Sequence, residues 1–131
     1  EGFLETLRMI RRKSLPVAVA TSSPPVLIET ALNKFGLLEE FDILNSSEKE
    51  EYGKPHPAVY LTTARRLGKN PRTCLAFEDS FNGAIAAKAA RMKVVTVPDH
   101  ADLTDRRFDF SDLKLSSLLE FTEEEFNRLN K

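Results

Sequence analysis

Apolar residues fall along this chain in short blocks whose spacing alternates between that of a helix and that of a buried strand. Phe3, Leu4, Leu7 and Ile10 recur at helical spacing, with Glu1 and Glu5 early and Arg8, Arg11, Arg12 and Lys13 late. That charge order suits the helix dipole. Leu15 to Ala20 is a continuous apolar run without alternation, the pattern of a strand covered on both faces in a parallel sheet. Thr21-Ser22-Ser23-Pro24-Pro25 then reads as a helix start, a hydroxyl cap followed by proline in the first turn. Ile28, Ala31, Leu32 and Phe35 form the apolar stripe of that helix, and Gly36 ends it.

The alternation continues to the end of the chain. Phe41 to Leu44 is a weak strand, Glu48 to Glu51 a solvated acidic loop, and Gly53-Lys54-Pro55-His56-Pro57 a rigid turn. A helix follows with Tyr60, Leu61, Ala64 and Leu67 inward and a stop at Gly68. Thr73 to Phe77 is a second buried-type strand, running into Glu78-Asp79-Ser80. Phe81 to Met92 carries Ala84, Ala86, Ala87, Ala89 and Ala90, small side chains that let a helix lie close to a sheet. Lys93 to Pro98 is a third strand, and Asp99 to Asp112 is polar. Two capping boxes close the chain, Ser117 with Glu120 and Thr122 with Glu125. Strand and helix alternate without a hairpin signal or an internal repeat, which predicts an α/β domain with a parallel sheet and right-handed crossovers.

Composition narrows the function classes. The 131 residues suffice for one domain, and 41% apolar with 30% charged content excludes a disordered tail. Nineteen Lys and Arg against twenty Asp and Glu give a net charge of −1, so no basic field recruits nucleic acid or an anionic membrane. The longest apolar stretch falls far short of the roughly 20 residues of a spanning helix. A lone cysteine, Cys74, and no apolar opening segment lead us to expect a cytoplasmic protein. A start at Glu1 rather than Met is what a processed product or a fragment would show.

In an open parallel sheet, ligands collect beyond the carboxyl ends of the strands. After the first strand come Thr21-Ser22-Ser23, hydroxyls and amides at a helix start. After the second comes Lys54, and after the third the adjacent carboxylates of Glu78 and Asp79. Each has a plainer reading: a helix cap, a loop lysine, two acids complementing a helix dipole. Together they form the set that a phosphoryl group held with a divalent cation requires, and Mg²⁺ needs only one or two protein carboxylates. His56 and His100 have no ligand partner and read as exposed. Cys74 reads as core, and Arg65, Arg66, Lys69 and Arg72 as a solvated face.

Thr21-Ser22 after a hydrophobic strand, Gly53 to Pro57, and Phe77-Glu78-Asp79-Ser80-Phe81-Asn82-Gly83 resemble motifs two, three and four of the haloacid-dehalogenase superfamily. Leu75 to Pro98 is most similar to its bacterial sugar-phosphatase branch, which includes 2-deoxyglucose-6-phosphate and hexitol phosphatases, with β-phosphoglucomutases as near relatives. The resemblance implies a Rossmann-like three-layer αβα sandwich acting on a small sugar phosphate. It implies that Thr21 bonds the phosphoryl oxygen with help from the Ser22 amide, and that Lys54 bridges phosphoryl group and nucleophile. Glu78 and Asp79 would hold Mg²⁺, and Ser80 and Asn82 would shape the pocket.

The family's first motif, D-x-D-G-T/S, which supplies the nucleophilic aspartate, is absent between Glu1 and Lys131. The resemblance therefore implies a partial core, residues 1–131, lacking the nucleophile, the first strand and the substrate-reading cap. In the family's sheet order, 5-4-1-2-3, the absent strand is central, so the strands at 15–20 and 73–77 should flank a gap. A segment from elsewhere, a rearranged sheet or self-association would have to answer that gap. The leading expectation is a sugar phosphatase working through an aspartyl-phosphate, inactive as this chain alone. A phosphomutase with the same site and a non-catalytic module of the same fold are the alternatives.

Overall fold

The computed structural model describes residues 1–131. In chain order it contains α1 (Phe3–Arg12), β1 (Ala18–Thr21), α2 (Pro25–Lys34), β2 (Ile43–Ser46), α3 (Ala58–Arg66), β3 (Leu75–Glu78), α4 (Phe81–Ala89), β4 (Lys93–Thr96), β5 (Leu113–Lys114) and α5 (Glu123–Leu129). All strand pairings are parallel, as the unbroken apolar runs predict: β1 with β2, and β3–β4–β5 in that order.

Successive side chains of a strand point to opposite faces, and here each face meets a helical layer. Ala76 of β3 and Val94 of β4 are register partners and join a cluster with Val59, Tyr60 and Ala64 of α3 and Ala84, Ala86 and Ala87 of α4. Val95 and its partner Phe77 turn the other way, towards Met9 of α1, Leu115, Phe121 and Leu129 of α5. The Phe77 and Phe121 rings meet edge to face, centroids 4.9 Å apart. This is a three-layer αβα arrangement. The alanines of α4 are what allow its backbone to approach the sheet.

β1 and β3 do not pair. Their only ladder partners are β2 and β4, so a strand edge is left on each side of a break between the two sheets. All of Ala18 to Thr21 are only half-buried, although an apolar strand of this kind is ordinarily covered completely. The expected gap is present, and the rearranged sheet with direct pairing is not.

Several local expectations need correction. β1 begins at Ala18 and not Leu15: Leu15 and Pro16 are exposed, and Pro16 has no N–H to give a ladder. α1 buries Thr6, Leu7 and Met9 and leaves Phe3 and Leu4 largely exposed. Its contact is the turn at Leu118–Glu120, where the Thr6 hydroxyl donates to the Leu118 carbonyl at 3.4 Å. On α2 only Leu32 is buried, while Ala31 is exposed and Phe35 is 71% exposed, because this helix packs only lightly on the sheet, chiefly at β2. The Ser117 box is a 3₁₀ turn, and Glu120 reaches Ser116 instead of Ser117. Thr122 does cap α5, accepting from the Glu125 amide at 3.4 Å. β5 is too short to show in the pattern. Gly36 and Gly68 sit at positive φ just after their helices, as expected of stop residues.

The same device starts both outer strands. Asp42, before β2, donates its N–H to the Val17 carbonyl and accepts the Val17 N–H on its carboxylate at 2.9 Å. Asp112, before β5, does the same with Val94, at 2.7 Å for the carboxylate contact. The Val17 amide, helped by Arg11, holds the Asp42 carboxyl below its ordinary range. At Asp112 burial pushes upward, but Lys88 and the Val94 amide outweigh it and the net direction is down. A depressed folded pKa contributes stability that is present above the unfolded carboxylate value and lost as pH falls through the folded one. Asp112→Asn should therefore cost about 1 kcal/mol at pH 7, and the difference from the parent should vanish in urea titrations near pH 2. A penalty that persists in acid would show that shape, not charge, is what Asp112 supplies.

Candidate functional site

The break between the sheets is bridged by one side chain. Lys54, in the turn before α3, places Nζ 3.0 Å from the Ala20 carbonyl at the end of β1 and 2.5 Å from Glu78 Oε1 at the end of β3. Both side chains are buried, 10% and 7% exposed respectively. The Lys54–Pro55 peptide is cis. Lysine and glutamate bring opposite charges into a poorly solvated place, which is tolerable only as a close pair with further hydrogen bonds.

Those further contacts come from α3 and α4. The Tyr60 hydroxyl donates to the same Glu78 Oε1, and its ring lies 5.0 Å from Lys54 Nζ in cation–π geometry. Burial, followed by the negative charges of Glu78 and Asp79, drives the Tyr60 hydroxyl well above its usual pKa, so it stays a neutral donor. On the other side lies Gly83 in the first turn of α4. A Cβ there would collide with the Glu78 carboxylate, which would have to leave its place to admit one. The Gly83 amide is in turn taken by the Ser80 hydroxyl at 3.0 Å.

The remaining candidate residues gather around this pair to differing degrees. Thr21 ends β1, one residue beyond the Lys54-bonded carbonyl, and Ser22 follows it in the open. The expected hydroxyl cap on α2 is not formed. Thr21 Oγ1 instead accepts from the Ser23 amide at 3.0 Å, and the cap position falls to Pro24. With Pro24 and Pro25 lacking N–H groups, the helix start offers fewer donors to an anion than the pattern suggested. Asp79 is exposed at the edge, next to the buried Glu78. Ser80 spends its hydroxyl on the α4 cap, and Asn82 is exposed in the same turn.

A hard divalent cation that keeps most of its water needs one or two carboxylates. Asp79 is free for that role, whereas Glu78 has one oxygen committed to Lys54 and Tyr60. No three His, Cys, Asp or Glu side chains group to hold an ion unaided. The chain thus carries donors of the right chemistry for part of a Mg²⁺ site.

His56 and His100 are exposed as expected, His56 Nδ1 accepting from the Ala58 amide. Cys74 sits one residue before β3, half-buried, and burial raises its thiol pKa against the pull of Lys69. Arg66 is more than a solvated residue, donating to the Leu44 carbonyl and to Asn45 Oδ1 of β2. Three residues escaped the sequence reading. Tyr60 read only as an inward position, yet a phenol on an apolar stripe must find its hydroxyl a partner. Gly83 stood in a motif without a role. Ser46, ending β2, donates to the Ser23 carbonyl at 2.8 Å and so fixes the loop after Thr21, with nothing in its surroundings to single it out.

Comparison with known proteins bears on the family and the fold. A family model for haloacid dehalogenase-like hydrolases matches residues 1–91. Hexitol phosphatase B of Escherichia coli (strain K12) is 47% identical over 121 residues, which cover 92% of this chain and 54% of that protein. CbbY from Rhodobacter sphaeroides, solved in complex with phosphate, superposes with a TM-score of 0.84 at 28% identity, covering 92% of this chain and 54% of that one. β-Phosphoglucomutase from Clostridium difficile shares the fold, with a TM-score of 0.84 at 24% identity over 97% of this chain and 54% of that one. The chain belongs to the haloacid dehalogenase-like hydrolases. It spans 54% of the length of hexitol phosphatase B.

Gly83→Ala tests the crowding around Glu78. Alanine gains up to about 1 kcal/mol of helix propensity over glycine, yet overpacking of the carboxylate should leave the variant net destabilised by about 1–2 kcal/mol. In a Glu78→Ala background the same substitution should be neutral or stabilising in thermal unfolding. Equal penalties in both backgrounds would contradict the contact.

Proposed function

We propose that this chain is the core portion of a Mg²⁺-dependent phosphatase of small sugar phosphates, completed by a segment that carries the nucleophilic aspartate. The observation that carries the reading is Lys54 held between the ends of β1 and β3, beside Thr21 and Asp79, at the mouth of an unfilled strand position. A central strand entering there would pair with both free edges and deliver its aspartate opposite Lys54. The family membership and the 47% identity to hexitol phosphatase B support a sugar phosphate as the substrate class.

In this reading Thr21 and the Ser22 amide hold phosphoryl oxygens, and Lys54 neutralises charge on the transferring group. Ser80 and Asn82 border the pocket at the start of α4. Asp79, with the remaining oxygen of Glu78, would hold Mg²⁺, which supplies further charge neutralisation to the phosphoryl oxygens. The aspartate attacks phosphorus in line, the ester oxygen leaves, and water then hydrolyses the aspartyl-phosphate. A cap elsewhere in the protein reads the sugar. No helix is long and apolar enough to cross a membrane, and with the single free thiol of Cys74 this favours a cytoplasmic setting. The mutase alternative uses the same site, with a second sugar hydroxyl in place of water, and the structural likeness to β-phosphoglucomutase is what favours it.

In the full-length enzyme Lys54→Ala should lower turnover by on the order of 10²–10³, the size of one preorganised electrostatic group. Asp79→Asn should raise the Mg²⁺ concentration needed for half activity. Activity within twofold of the parent in both variants would sink the assignment of this edge.

Phosphate release separates the rival classes. The 131-residue chain alone should release none from hexose phosphates. Adding the D-x-D segment in trans or by fusion should restore Mg²⁺-dependent release, and the Asp→Asn form of that segment should not. Hydrolysis by the chain alone would require a nucleophile within it and contradict the reading. No activity in any combination would favour the non-catalytic module.

A further inference from the structure

We propose that Tyr60 is a positioning residue for this site, its hydroxyl fixing the Glu78 carboxylate in the place from which it holds Lys54. The proposal rests on the phosphatase reading for its functional meaning, but not for its geometry. Tyr60 touches both members of the pair, donating to Glu78 Oε1 and presenting its ring to Lys54 Nζ. It is itself 7% exposed and set in α3 between Val59 and Ala64 of the core, so its direction is fixed by packing. On its other side the Glu78 carboxylate lies against Gly83, in the space a Cβ at that position would take. The carboxylate is thus held from α3 and packed against the first turn of α4, and Lys54 is held by the carboxylate.

The arrangement divides labour between two neighbouring acids. A carboxylate oxygen shared by an ammonium and a phenol is a poor donor to a third cation. Tyr60 therefore commits Glu78 Oε1 to Lys54 and leaves Asp79, with the second Glu78 oxygen, open to a metal. Without the phenol, Glu78 can swing off Lys54, and the lysine loses its fixed place opposite the incoming aspartate.

Competitive labelling of lysines with an amine-reactive ester, read by peptide mass spectrometry on the full-length protein, tests this without any turnover. In Tyr60→Phe, Lys54 should label about tenfold faster than in the parent, the size of one hydrogen bond to a charged group. The exposed Lys34 on α2 should keep its rate and serve as the internal reference. Lys54 labelling within twofold of the parent, or slower, would overturn the proposal. Glu78→Gln, which keeps the shape of the side chain and removes the charge, should raise Lys54 labelling as well. No change there overturns the clamp even if Tyr60→Phe does not fold. Inorganic phosphate with Mg²⁺ should slow Lys54 labelling in the parent. A tenfold response to Tyr60→Phe without protection by phosphate supports the role of Tyr60 and counts against the phosphatase reading.

Discussion

Everything near the strand ends is organised by one buried ion pair, Lys54 with Glu78. The pair joins elements distant in sequence, the turn before α3 and the end of β3, and through the Ala20 carbonyl it reaches β1 as well. Burying two charges is costly unless geometry and further hydrogen bonds compensate. That requirement explains features that look unrelated one at a time: a phenol in the apolar stripe of α3, a glycine in the first turn of α4, and a proline-bounded turn that presents the lysine. Each satisfies or shapes part of the pair.

The pair also sits where the sheet is interrupted. β3 and β4 are covered on both faces, by α3 and α4 on one side and by the cluster built from α1 and α5 on the other. β1 is apolar but nowhere fully buried, and its outer edge has no ladder partner. Unpaired backbone at an apolar edge is a liability in isolation and a docking position for a strand. In the proposed function, Lys54 and Glu78 stand beside the position that an entering strand would take.

The strand-and-helix alternation was legible because parallel strands covered on both faces read as short apolar runs, as at Leu75 to Phe77 and, broken only by Thr96, Val94 to Val97. The candidate residues were legible because each follows such a run. What local pattern did not disclose were relations between distant elements. Ala31 and Phe35 look like core residues in the period of α2, yet that helix has too little sheet beneath it to cover them. Thr21 looks like a helix cap, but two prolines move the helix start beyond its reach. Tyr60 is visible as an inward residue, whereas its partnership with Glu78 arises only when α3 crosses the end of β3. The Asp42 and Asp112 clips are likewise tertiary, each joining a strand start to a neighbour recorded nowhere in its own segment.

The central claim is that Lys54 and Glu78 act as a unit, and a double-mutant cycle measures that unit most directly. Lys54→Met and Glu78→Gln, singly and together, are compared by urea unfolding at pH 7. Each single change leaves a buried charge or its partner unsatisfied and should cost about 3 kcal/mol. The double variant removes both charges and should cost far less than the sum, giving a coupling of about 2 kcal/mol or more. Additive losses, with no coupling beyond about 0.5 kcal/mol, would contradict the account.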